Sequence, residues 1–62
     1  MHRERALERV KNCTYGELVD WEKHVLFCLK WHRKDNNAFE IDDCEFLLKQ
    51  IKDQISVLSR TP

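Results

Sequence analysis

The stretch Leu18-Val19-Asp20-Trp21-Glu22-Lys23-His24-Val25-Leu26-Phe27-Cys28-Leu29-Lys30-Trp31-His32 decides the fold. Projected at about 100° per residue, Leu18, Trp21, Val25, Cys28, Leu29 and His32 fall on one stripe. Their spacing alternates three and four, the heptad-like pattern of a helix that needs an apolar partner. Such a partner stands downstream. Cys44, Leu48, Ile51, Ile55 and Leu58 alternate four and three, with Leu47 alongside.

The helix ends are marked by capping signals. Thr14 followed by Glu17 is a capping box, and Cys13 and Leu18 occupy the staple positions around it. Glu17, Asp20 and Glu22 crowd the start of this helix, and Lys30, Arg33 and Lys34 its end, as the helix dipole favours. A second start signal is read at Asp42, with Glu45 three residues on and Ile41 and Phe46 placed as a staple. Asn36-Asn37 is the turn-prone centre of the connection. The expected organisation is one helical domain: a short N-terminal helix or arm over residues 1–12, helix two over 14–34, a loop over 35–41 and helix three over 42–60. A loop of that length suits antiparallel neighbours. The expected fold class is all-α, an antiparallel helical hairpin with a short N-terminal helix, expected to pair into a dimeric four-helix-type bundle.

Composition narrows the function classes. At 62 residues the chain is one small domain, and its core rarely supplies more than about 3–5 kcal/mol without a disulfide, a metal or oligomerisation. Gly and Pro occur once each, too few turn formers for an all-β domain of short strands. Basic and acidic residues balance at 11 each, which removes a bulk electrostatic case for nucleic acid. Three cysteines cannot all pair within one chain and fit free thiols in a reducing compartment. The Met1-His2-Arg3-Glu4-Arg5 start has no apolar h-region, so no signal peptide is expected. The longest apolar run, residues 25–29, is far too short to span a bilayer. The expected location is cytoplasmic.

Some apolar residues have no place in the seam. Tyr15, Val19 and Leu26 widen one edge of helix two, while Phe27 and Trp31 project to its back. A helix over residues 2–11 spans about 15 Å at 1.5 Å per residue, so it covers only the first half of helix two. It is expected to dock lightly or fray, since short helices are marginal alone. Leu26, Phe27, Trp31, Phe39 and Phe46 are therefore the expected protein interface, because clustered exposed aromatics on a small domain mark an interaction surface. The simplest partner is a second copy, as two-fold dimers are the commonest oligomers.

Other chemistries have weaker signals. His24, Cys28 and His32 follow one another at four-residue spacing, and Cys44 should lie across the hairpin. Imidazole and thiolate suit zinc, yet the three span about 12 Å of helical rise and cannot meet one ion together. Buried free cysteines ordinarily behave as small hydrophobes. A Cys–His nucleophile lacks an oxyanion hole and an orienting third group, so no enzyme and no cofactor are expected. Lys30-Trp31-His32-Arg33-Lys34 is the most basic run. With Arg9 and Lys11 of the first segment it could grip phosphates, but cations at a helix C-terminus also answer the dipole, and Asp35, Glu40, Asp42 and Asp43 stand close by.

The architecture so read is similar to that of the small plasmid-encoded RNA-binding helical-hairpin dimers. It also looks like the short accessory proteins of phages, which often bind a host protein. Neither likeness rests on a matching motif. The expected function is a small regulatory module that binds an unidentified protein partner through a dimeric hairpin. The alternative is a dimeric RNA- or DNA-binding protein using residues 30–34 and the basic N-terminal segment.

Overall fold

In the computed structural model, which describes residues 2–60, three helices follow one another: α1 (Arg3–Asn12), α2 (Tyr15–Lys34) and α3 (Ala38–Ser59). No strand occurs among the described residues. The fold is all-α, and α2 and α3 form the antiparallel hairpin that the two apolar seams require.

The first capping signal is realised as read. The Thr14 hydroxyl accepts from the Glu17 amide at 3.2 Å, and the Thr14 amide donates to Glu17 Oε1 at 2.9 Å. The second start signal is corrected. Helix three begins four residues earlier than expected, at Ala38, and its cap is Asn37, whose side chain accepts from the Glu40 amide at 3.3 Å. The connection shrinks to residues 35–37 instead of 35–41. Asn36 makes this short turn possible by taking φ 56°, a left-handed conformation that asparagine tolerates better than most residues. Asn37 and Glu40 carried a cap signal as good as that of Asp42 and Glu45. The upstream one prevails, and residues 38–41 become helical.

The core is one helix pair thick. The Cα trace measures 41 × 21 × 14 Å. Leu18 and Ile51 are fully buried at its centre, joined by Val10 and Val25. Trp21, Cys44, Leu47, Leu48, Ile55 and Leu58 pack around them, as the seam predicts. Leu29 is buried as well. Fully burying an aliphatic side chain contributes about 1.5–3 kcal/mol, so this short series carries most of the apolar stabilisation.

Helix α1 is docked rather than frayed. Val10 is 3 % exposed and belongs to the core. The helix leans chiefly on α3, not on α2 as expected. Its Arg3 reaches Asp42 at 2.8 Å and Asp43 at 3.8 Å, and its Arg9 lies 4.7 Å from the Trp21 ring centroid. α1 therefore covers the side of the hairpin that carries Trp21, Asp43 and Phe46. The other side of the seam, with Leu26, Arg33, Leu48 and Lys52, has no helix over it among the described residues.

Candidate interaction surface

The outward face of α2 presents a pair of contacting rings. Phe27 is 60 % exposed and Trp31 is 48 % exposed. Their centroids stand 6.0 Å apart at an interplanar angle of 66°, an edge-to-face contact. Lys34 Nζ lies 5.2 Å from the Trp31 centroid. The four-residue spacing sets this geometry: residues i and i+4 of a helix are neighbours on its surface. Leu26 is also exposed, but it stands about 100° around α2 from Phe27, on the flank toward Arg33.

The other two expected interface aromatics sit elsewhere. Phe39 is 87 % exposed in the first turn of α3 and makes no ring contact with Phe27 or Trp31. Phe46 is half-buried, and the Arg3 guanidinium covers its ring at 4.3 Å. The structure thus brings Phe27 and Trp31 together, leaves Phe39 open and gives Phe46 an internal partner.

The basic residues do not form one footprint. Arg33 faces Glu45 at 3.4 Å, Lys34 lies over Trp31, and Arg9 lies over Trp21. Trp21 and Arg33 stand on opposite flanks of the α2 seam at 100° per residue. The basic first segment and the 30–34 run therefore point to different sides of the hairpin. Lys30 and Lys11 are exposed.

His24, Cys28, His32 and Cys44 gather along an open groove of about 390 Å³ between α2 and α3, which also takes in Trp21 and Asp43, the residues that Arg9 and Arg3 of α1 contact. His24 Nε2 and Cys28 Sγ stand 3.6 Å apart, and His32 Nε2 is 3.9 Å from Glu40. Cys44 lines the same groove, its thiol pushed up from the ordinary cysteine range by burial, with Cys28, Glu40 and Asp43 adding to the effect. Among the described residues no set of three or more His, Cys, Asp or Glu side chains is arranged to hold a metal ion. Cys13, Cys28 and Cys44 are free and half-buried.

Sequence reasoning missed a second groove. It measures about 340 Å³ and runs between α2 and α3 on the side away from α1. Leu29 and Leu48 line it, with Arg33, Glu45, Lys49 and Lys52 at its edge. The signal was present in the sequence: Glu45, Lys49 and Lys52 are spaced four and three beside Leu48, a charged border along the seam.

Compared with known proteins, the chain matches no family model, no curated protein and no solved structure. Its function is read from its own residues alone. No helix among the described residues is long and apolar enough to cross a membrane.

Proposed function

We propose that this chain is a small regulatory protein–protein interaction module, an accessory or adaptor of the phage or plasmid kind, acting through its helical hairpin as a homodimer. The observation that carries this reading is the Phe27–Trp31 pair, two rings in edge-to-face contact held open to solvent on the face of α2 opposite the core. Aromatic side chains of this kind supply large contact area at low entropic cost and dominate interface energetics. A core one helix pair thick gives a second reason, since small domains with little buried area gain stability by association. Pairing two hairpins through this face of α2 brings four helices, two from each chain, into one assembly. No catalytic role, metal or cofactor is part of this reading. The free thiols suit a reducing compartment, and the cytoplasm is the proposed location.

Light scattering on the purified protein over a range of concentrations tests the dimer. The expected result is a concentration-dependent dimer that the double substitution Phe27→Ser, Trp31→Ser shifts toward monomer without loss of helicity. A monomer at every concentration overturns self-association and assigns the ring pair to a different protein.

The alternative, a dimeric RNA- or DNA-binding protein, draws on Lys34 over Trp31, a cation beside a ring on which a base can stack. Phosphate contacts weaken steeply as salt rises, whereas apolar contacts do not. Gel shifts with RNA and DNA at two ionic strengths separate the readings, and lack of any shift at low salt removes the alternative.

A further inference from the structure

The hairpin has two long sides, and α1 occupies one of them. Val10 inserts into the core there, and Arg3 and Arg9 clamp the edges through Asp42, Phe46 and Trp21. The other side offers the same kind of seat without an occupant: a groove of about 340 Å³ floored by Leu29 and Leu48. Leu26, on the same flank, is 44 % exposed.

The rim of that groove has a definite charge. On α2, Leu26, Lys30 and Arg33 follow at i, i+4 and i+7. On α3, Glu45, Lys49 and Lys52 do the same. These positions share a helix flank. Glu45 already faces Arg33 at 3.4 Å. No carboxylate among the described residues stands within ion-pair distance of Lys30, Lys49 or Lys52. Asp53 also borders the groove, but the cations outnumber the acids on a chain whose overall charge is zero. The positive excess is therefore local to an apolar cleft.

We propose that this side of the hairpin binds an acidic amphipathic helix of a partner protein, which lies along the groove between α2 and α3, with its apolar residues on Leu29 and Leu48 and its carboxylates on Lys49 and Lys52. The inference rests on the reading of the chain as an interaction module and names the chemistry of one partner. From Glu45 to Asp53 the wall rises about 12 Å at 1.5 Å per residue, enough for anchors at i, i+3 or i+4, and i+7.

Other occupants fit less well. A second copy seated two-fold on this groove brings the same cation-rich rim, with only Glu45 and Asp53 to oppose the lysines and Glu45 already facing Arg33. A bilayer surface is flat, while the apolar floor is recessed, with Leu29 buried beneath a charged rim. Phosphates meet Glu45 and Asp53 on that rim, whereas a protein helix can set a cation opposite them.

The test uses short synthetic helical peptides as probes. One carries leucines at the stated spacing flanked by glutamates; its twin has lysine in place of every glutamate. Fluorescence anisotropy should give at least about tenfold tighter binding of the glutamate peptide, the scale of a few exposed charge pairs acting together. Amide shifts of the labelled protein should centre on Leu29, Leu48 and Lys49. The double substitution Lys49→Glu, Lys52→Glu should abolish the preference, and Phe27→Ser, Trp31→Ser should preserve it. Equal affinity for the two peptides, or no binding, overturns the groove while leaving the Phe27–Trp31 dimer standing. Amide shifts centred on Phe27 and Trp31 do the same. Tighter binding of an RNA hairpin or of phosphatidylserine vesicles through Lys49 and Lys52 overturns it in favour of those ligands.

Discussion

Arg3 lies with its guanidinium carbon 4.3 Å from the centroid of the Phe46 ring and closes the top of α1 onto α3. The same side chain donates to Asp42 at 2.8 Å, so one residue covers an aromatic and pairs with an acid. Both contacts are partly exposed and carry correspondingly modest energies. Arg3→Ala should destabilise the protein by about 0.5–1 kcal/mol, the range for an exposed cation–π contact with a surface ion pair. Urea unfolding measures the loss, and hydrogen exchange should show the α1 amides opening sooner. Unchanged α1 protection would show that Val10 alone holds the helix.

Ile51 is the side chain on which α1, α2 and α3 converge, and it is fully buried. Removing its outer carbons leaves a cavity that a thin core cannot easily close. Ile51→Ala should cost about 2–5 kcal/mol. That range overlaps the whole stability of a scaffold this size, so the variant should be largely unfolded at room temperature. Lys52→Ala, one residue on and exposed, should stay within about 0.5 kcal/mol of the parent protein. Circular dichroism with urea titration compares the two, and equal losses would refute the assignment of the core.

The contrast between neighbouring residues shows what the sequence could reveal. Ile51 and Leu18 sit where two independent seams coincide, and periodicity alone locates such positions. The capping box at Thr14 was equally legible, because its chemistry is local. The start of α3 was not, since Asn37-to-Glu40 and Asp42-to-Glu45 are near-equivalent cap signals and only the reach of the turn through Asn36 selects between them. Phe46 was read as open because the pairing of α1 with α3 depends on contacts 39 residues apart, as from Arg3 to Asp42. The lysine-edged groove escaped for a related reason. Its charged border is visible on α3 alone, as Glu45, Lys49 and Lys52, but its floor joins Leu29 of α2 to Leu48 of α3 and needs both helices.

Glu17 links the start of α2 to pH. The Thr14 amide donates to its carboxylate, the Thr14 side chain adds to this, and Arg9 contributes more weakly, so its pKa lies below the ordinary glutamate range. A depressed folded-state pKa means that the ionised form is favoured by folding. Its stabilising contribution is complete above the unfolded-state pKa and is lost as pH falls through the lower folded-state value. Glu17→Gln should therefore flatten the acid limb of the stability curve and leave its slope near neutrality unchanged. Thermal unfolding from neutral to acid pH checks this. An acid limb of undiminished steepness in the variant would show that other carboxylates set it.

Cys44 should be the slow thiol. Burial in the groove between α2 and α3 disfavours its thiolate, and the neighbouring Cys28, Glu40 and Asp43 add negative potential. The thiolate is the reacting species, so a raised pKa lowers the rate at any pH below it. Iodoacetamide near neutral pH should label Cys44 more slowly than an unfolded control, read by peptide mass mapping at successive times. The labelling rate should climb as pH rises toward the elevated pKa. Asp43→Asn removes one of the charges that hold the value up, and it should speed the reaction while Cys13 reacts as before. Steric cover alone predicts a different pattern, a slow Cys44 whose rate ignores the Asp43 substitution, so the variant separates the electrostatic cause from simple shielding.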